Sequence, residues 1–409
     1  MKRARVVAAV LLAACSLSAL AGTTRPSDYR ASLDAFFKEV DATYPFFELK
    51  GIKDDWEQCK KRLAANLPQC RTDAQFLGMI QDAIDCLRDA HMAILDAKVK
   101  LAAPEPEYCP GISFIAATQE RVCVMVPPSD ATLASKLPAG TVITQIDGQP
   151  ARKWLDEQAA ALWKKGGCFS SPQRAKLFTY RIPFSGERGK RHAVVYSVGG
   201  KTAQTVLTNA VPARGWPHTY AMPAGLQGQG AIQYVKLPSN CGYIYMRAID
   251  EKLCAQFDAA LKHIGEAKGL IVDLRGCGGG GYENEIYKRF NKRTGATQGI
   301  PFWGGKIVVL LDAGCISAGE TFARDLYYYA QAHLMGEMTA GSSSSKKTWP
   351  LPNGLASIRI SERTRGGIDK AGIEFNGIKP QTLVEVDPDE MRRGINSGIK
   401  RAEEFLAKE

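Results

Sequence analysis

Apolar and polar positions change their period along the chain, and the changes divide it into segments. Between residues 27 and 100 the period is helical. Leu33, Phe36, Phe37 and Val40 share one face of a segment from Tyr29 to Tyr44, which Pro45 ends. A second helix is predicted from Asp54 to Leu67, and Thr72-Asp73-Ala74-Gln75 reads as a capping box that opens a third, reaching Leu87. Met92 to Leu95 is strand-like. The Pro-rich run from Ala102 to Cys109 marks a boundary. Residues 110–210 read as β-rich, with strands at Val122–Val126, Gly140–Gly148 (ending in an Asp-Gly turn), His192–Tyr196 and Thr205–Leu207. Val211 to Gly230 reads as a linker. From Gly242 onward strands and helices alternate: strands at Tyr243–Met246, Leu270–Leu274 and Lys306–Leu311, helices at Glu251–Ala267, Asn284–Phe290, Ala318–Ala332 and Pro388–Ala407. Alternation predicts parallel β-α units, and unbroken apolar strands predict a sheet covered on both faces. The fold class is therefore α/β, with an N-terminal helical segment (22–104), a β-rich unit (105–212) and an α/β unit (213–409).

The first residues have a pattern of their own. Lys2, Arg3 and Arg5 precede an apolar run from Val6 to Ala14, and Ala19-Leu20-Ala21 has the A-x-A form of a cleavage site. The expectation is a secretory signal over 1–21 and an exported protein, periplasmic or extracellular. Leu12-Ala13-Ala14-Cys15 also resembles a lipobox, so the alternative is a lipoprotein anchored at Cys15. Export changes how the eleven cysteines read. Ten remain beyond Cys15, an even number in an oxidising compartment, which suggests disulfides. Short loops suggest Cys59–Cys70, Cys109–Cys123 and Cys241–Cys254. No C-x-x-C pair occurs and the five histidines are scattered, so no metal site is expected. The signal's three cations leave +8 of the net charge of +11. No dense basic run with interleaved aromatics occurs, so nucleic acid is not an expected partner.

Two loops carry candidate chemistry. Arg275-Gly276-Cys277-Gly278-Gly279-Gly280-Gly281 follows one buried strand. It satisfies G-x-G-x-x-G formally, but residues 286–311 offer no acidic residue for a ribose, and the Gly-Lys-Ser/Thr of a P-loop is absent. Such glycines either make a tight turn or aim backbone N–H groups at a developing negative charge. Ser317 follows the next buried strand, at the start of a helix. With Glu320 it forms a capping box, or it is a nucleophile at a positive helix end with the Ala318 amide beside it. No Gly-x-Ser-x-Gly surrounds it.

The order of motifs resembles a known family. Asp273-Leu274-Arg275 with its glycines, Ser317-Ala318-Gly319-Glu320, Gly336-Glu337-x-Thr339-x-Gly341, Leu351-Pro352-Asn353-Gly354 and Glu374-x-x-Gly377-Ile378-x-Pro380 follow one another as in the tail-specific, or C-terminal processing, serine peptidases. The resemblance implies a crotonase-like (ClpP-like) α/β core carrying Ser317 and an inserted PDZ-like domain, whose core pattern is matched by Leu137 to Pro150. The glycine-rich carboxylate loop of such a domain would fall at Cys109–Phe114, where one glycine stands. One branch of the family uses a lysine just beyond Thr-x-Gly; that position here is Ser342, with Lys346 four residues on. The tricorn-type branch uses a histidine from the N-terminal part and a late glutamate. Leu87-Arg88-Asp89-Ala90-His91 and Glu374 match these, although Ala90 replaces a serine.

The resemblance thus implies Ser317 as nucleophile, His91 as general base, Glu374 to orient it directly or through another polar group, and Gly278 or Gly279 with Ala318 as oxyanion donors. Cys277 and Cys315 flank these donors, either as a disulfide bracing the loops or as two small buried residues. The expected function is an exported serine endopeptidase acting on polypeptides, held in part by their C-termini. No metal or organic cofactor is implied, and a membrane tether arises only through a lipidated Cys15. The alternatives are an inactive peptide-binding homologue and a Ser/Lys dyad on Lys346.

Overall fold

The computed structural model describes residues 26–102, 105–213, 220–281, 284–290, 299–368 and 371–408. The signal segment and Cys15 lie outside the described residues. At the centre is a six-stranded sheet, in the order Ile232–Lys236, Gly242–Met246, Leu270–Asp273, Ile307–Leu311, His333–Gly336 and Thr382–Leu383. The first pair is antiparallel and the rest are parallel. Leu270–Asp273 and Ile307–Leu311 are buried at every position, because the sheet is covered on both sides. Helices Leu253–Ile264 and Ala318–Ala330 pack on one face, where Phe257 and Phe322 meet Val272 and Val309. Helix Ser397–Leu406 covers the other, with Ile399 and Leu406 against Ile271, Val308 and Leu310. The α/β expectation holds. The final helix, expected as one piece, is two (Pro388–Arg392 and Ser397–Leu406), with Gly394 between them at φ 73°. Asn284–Phe290 is a 3-10 helix.

The N-terminal helices Pro26–Thr43, Lys53–Asn66 and Asp73–Cys86 pack on a small sheet made largely by the late chain. Ala93–Leu95 pairs with Ser357–Arg359, which belongs to the antiparallel hairpin Ser344–Pro350 and Ser357–Thr364. Leu33, Trp56 and Ile80 share one core with Ile358 and Ile360. Two parts of the chain about 270 residues apart are thereby fixed together.

Residues 113–208 form a separate antiparallel sheet. They also hold helices that a β-rich reading missed: the short Ala131–Lys136 and two longer ones, Ala151–Lys165 and Pro172–Arg181. The last starts at an N-cap serine, Ser171, with proline at the first helical position, a local signal the strand pattern overshadowed. The Val211–Gly230 linker is not wholly irregular: Val211–Pro212 pairs with Tyr108–Cys109.

Candidate active site

The strand Ile307–Leu311 ends in a loop that places Ser317 at the N-terminus of the Ala318–Ala330 helix. Its backbone sits at φ 54° and ψ −119°, a left-handed setting unusual for a non-glycine residue. Three contacts hold it there. Its N–H donates to the Ser342 carbonyl (2.8 Å) and to Glu320 Oε2 (3.1 Å), and the Thr321 hydroxyl donates to its carbonyl (3.1 Å). Glu320 is fully buried and accepts from Thr339 Oγ1, Gly341 N and Ser342 N as well. Burial pushes its carboxyl up to about 7, against four donors that each favour the ionised form. Glu320 is therefore more than a helix cap. It locks the Ser317 loop to the Thr339–Ser342 loop.

His91 arrives from the other end of the chain. Its N–H donates to Asp89 Oδ1 (2.8 Å) and its carbonyl accepts from Arg359 Nε (2.6 Å), just before the strand that joins the hairpin. Its Nε2 lies 3.0 Å from Ser317 Oγ. Burial first, then the charge of Lys346, pushes the imidazole down to about 4, with Asp89 opposing. An imidazole held neutral beside a hydroxyl is chemically a base.

Glu374 is fully buried, but no hydrogen bond joins it to His91. Its Oε1 accepts from Lys50 Nζ (2.9 Å) and its Oε2 from Ser343 N (2.9 Å). Lys50 also donates to Tyr44 Oη (2.9 Å) and the Arg88 carbonyl (2.9 Å), and it reaches Asp89 Oδ2 at 3.5 Å. The link from Glu374 to His91 thus runs through Lys50 and Asp89. His91 Nδ1 is buried without a partner among the described residues. Asp89, His91 and Glu374 present ligand atoms within 4.8 Å of one another, in the manner of a cation site. The position between the two carboxylates is already taken by the Lys50 ammonium. Burial, then the Asp89 carboxylate, pushes Glu374 up to about 8, while Lys50 pulls it down.

Lys50 and Ser170 carry no signal in the sequence, Asp89 enters only as part of the motif that ends in His91, and Glu320 only as the capping-box partner of Ser317. Ser170 Oγ accepts from Ala90 N and donates to Ser342 Oγ, both at 3.1 Å, so the middle unit reaches the residue before His91. Lys346 lines the same cavity as Ser317 but makes no hydrogen bond to it.

The glycine loop needs a correction. The Gly278 N–H donates to the Arg247 carbonyl (2.8 Å), so it is not available to an oxyanion. Gly279 is the glycine against the serine: at φ 71°, a Cβ there would lie 2.8 Å from Ser317 Cβ and 3.0 Å from Ala318 N. Asp312 draws the two loops together by accepting from Gly276 N (2.7 Å) and Gly314 N (2.8 Å).

The disulfide pairings are also corrected. No two cysteines are joined among the described residues. Cys59 Sγ meets Cys86 Sγ at 2.6 Å, and the Cys70 thiol faces the Thr72 carbonyl instead. Cys241 and Cys254 pack on opposite faces of the central sheet. Cys123 sits in a small apolar cluster that does not include Cys109. Cys277 and Cys315 are neighbours in which both sulfurs pack on Gly319, where a Cβ would lie 3.1 and 3.0 Å from them. They are two small buried thiols.

A serine hydroxyl on a helix N-terminus, an imidazole in contact with it and a glycine loop alongside define a serine hydrolase. A family model described as peptidase family S41 matches residues 281–384, a stretch that contains Ser317 and Glu374. Mature CPAF complexed with lactacystin is similar in structure, at a TM-score of 0.60 and 14% identity, covering 94% of this chain and 98% of that one. A protein described as a peptidase from Parabacteroides merdae gives 0.52 at 17% identity, covering 94% and 97%. At these identities the likeness is one of fold. No curated protein matches the chain in sequence.

Proposed function

We propose that the chain is an exported endopeptidase of the tricorn type, cleaving polypeptides through an acyl-enzyme on Ser317. The observation that carries this reading is the 3.0 Å approach of His91 Nε2 to Ser317 Oγ, made across 226 residues of sequence. Ser317 Oγ attacks the peptide carbonyl carbon while His91 Nε2 takes its proton. The oxyanion forms between the Ala318 amide and the Gly279 loop. His91 then returns the proton to the leaving amine, and a water attacks the ester by the same route in reverse. Lys50, Asp89 and Glu374 hold His91 in register. The reading of residues 1–21 as a secretory signal supports export.

The middle unit, residues 105–212, is read as PDZ-like. Its edge strand Ser113–Ala117 and helix Pro172–Arg181 flank a cavity of about 300 Å³ lined by Phe114, Ile115, Leu177 and Tyr180. An extended apolar peptide end fits that chemistry.

A fluorophosphonate probe tests the reading. The wild type is expected to label and Ser317→Ala is not. His91→Ala is expected to lose at least roughly a thousandfold in peptidase kcat/KM. Full activity in His91→Ala, with loss in Lys346→Ala, would reassign the base to Lys346.

A further inference from the structure

The cavity that opens on Ser317 is strongly cationic. It measures about 590 Å³, and its charged lining is Arg324, Lys346 and Arg365 with one carboxylate, Asp325. Arg324 already engages that carboxylate, at 2.7 to 2.8 Å. Lys346 and Arg365 are exposed to the cleft, and neither has a carboxylate within ion-pair distance among the described residues. Neighbouring Lys347, which points to the other face of the same strand, pairs with Glu39 at 2.5 Å. Alternation along the strand therefore separates a satisfied lysine from an unsatisfied one, and the unsatisfied one faces the nucleophile. Burial first, then Arg359 and Arg365, pulls the Lys346 ammonium below its usual value, as expected of cations crowded together. Arg365 is held by its backbone, its N–H donating to the Ser343 carbonyl (3.1 Å) and its carbonyl accepting from Ile373 N (2.7 Å). Lys346 thus lies two residues beyond the Ser343 and Ser344 wall of the cleft, and Arg365 is bonded to that wall at Ser343.

We infer that Lys346 and Arg365 form a carboxylate subsite beside Ser317, selecting polypeptides with an acidic side chain close to the scissile bond. A single carboxylate between the two cations makes charge-assisted hydrogen bonds to both and relieves their mutual repulsion. The inference rests on the peptidase reading above, so its test uses binding, which does not need catalysis.

Fluorescein-labelled hexapeptides are titrated against Ser317→Ala by anisotropy. One arm compares Asp with Asn at each position in peptides ending in an amide; the other compares a free carboxylate with an amide at the end of an uncharged peptide. At least one Asp peptide is expected to bind tenfold or more tighter than its Asn match, and a preference confined to the free C-terminal carboxylate would overturn the side-chain subsite. The preference shrinks to under twofold in Lys346→Gln/Arg365→Gln. It turns toward lysine-bearing peptides in Lys346→Glu/Arg365→Glu, and it weakens with salt. Matched peptides that bind equally within twofold at every position and at the end would overturn the subsite. Wild type is run in parallel. Hydrolysis and probe labelling without carboxylate preference sinks the subsite alone; preference without hydrolysis or labelling sinks the peptidase reading and leaves the subsite.

Discussion

Replacing Lys50 by methionine tests the buried charge cluster behind His91. The Lys50, Asp89 and Glu374 side chains are fully buried (0% exposed), so solvent does not screen the change. Methionine keeps most of the volume but removes the only described cation bonded to both carboxylates, and with it the donor to Tyr44 and the Arg88 carbonyl. Breaking a buried pair from one side costs about 3–5 kcal/mol, because the remaining charge is uncompensated. The sign with pH follows from linkage. Without Lys50 the folded-state pKa of Glu374 rises further above its unfolded value of about 4, and Asp89, which Lys50 helps hold below its ordinary value, rises as well. The folded variant then binds more protons than the unfolded one above that pH. The loss is therefore small near pH 4 and grows as pH rises through the raised values. Urea unfolding followed by tryptophan fluorescence is suited to the measurement, since fully buried Trp56 lies in the same helical core. Glu374→Gln in the Lys50→Met background should recover part of the loss, with a coupling of about 1.5 kcal/mol or more. A single-variant cost under about 1 kcal/mol at pH 8, a loss that shrinks with rising pH, or additivity within about 0.5 kcal/mol would refute the charge argument.

Three further outcomes are expected. Gly279→Ala puts a Cβ 2.7 Å from the Ile316 carbonyl at φ 71° and should lower kcat by about a hundredfold or more, whereas Gly278→Ala, with its nearest atom at 3.8 Å, should cost under about tenfold; steady-state kinetics on the two variants decides. The acid limb of kcat/KM should fall near pH 4, because His91 is pushed down to about 4, and should move to higher pH in Lys346→Ala. The same depressed pKa makes the His91 contribution to stability present above its unfolded value and lost as pH falls through about 4; an acid limb near 6.5 would contradict the burial argument. Mild oxidation with glutathione disulfide should join Cys59 to Cys86, whose sulfurs already meet, closing a loop of 27 residues and adding about 3.5 kcal/mol on the chain-entropy view; a Cys59–Cys70 product in non-reducing peptide mapping would contradict the structure.

What the sequence made legible was whatever depends on neighbours along the chain. The capping box at Thr72, the buried strands Leu270–Asp273 and Ile307–Leu311, and the helix that starts after Ser317 all follow from local period and capping chemistry. The pairing of His91 with Ser317 came through motif order rather than spacing. No periodicity places two residues 226 positions apart at 3.0 Å. Two helices of the middle unit, Ala151–Lys165 and Pro172–Arg181, were hidden because the strong strand patterns on either side dominated the reading. Cysteine pairing failed for a related reason: short loops favour near neighbours, whereas Cys59 and Cys86 are brought together by the packing of two helices.

The residues that stayed illegible share a physical property. Lys50, Asp89 and Glu320 are charged groups inside a core, whereas in sequence Lys50 reads as an ordinary surface residue, Asp89 as a motif member beside His91 and Glu320 as a helix cap. Their burial is tolerable only because each finds its partners: Lys50 two carboxylates, a phenol and a carbonyl, and Glu320 four donors. The Lys50 cluster joins segments that meet only after the N-terminal helices dock on the late hairpin, whereas Glu320 finds its donors within residues 317–342. The site is therefore complete only in the assembled fold, with the base supplied by one end of the chain and the nucleophile by the other. A substitution that loosens the interface of Leu33, Trp56 and Ile80 with Ile358 and Ile360 should reduce activity before it unfolds the central sheet, because it separates His91 from Ser317 while leaving the Ser317 loop held by Glu320 and Asp312.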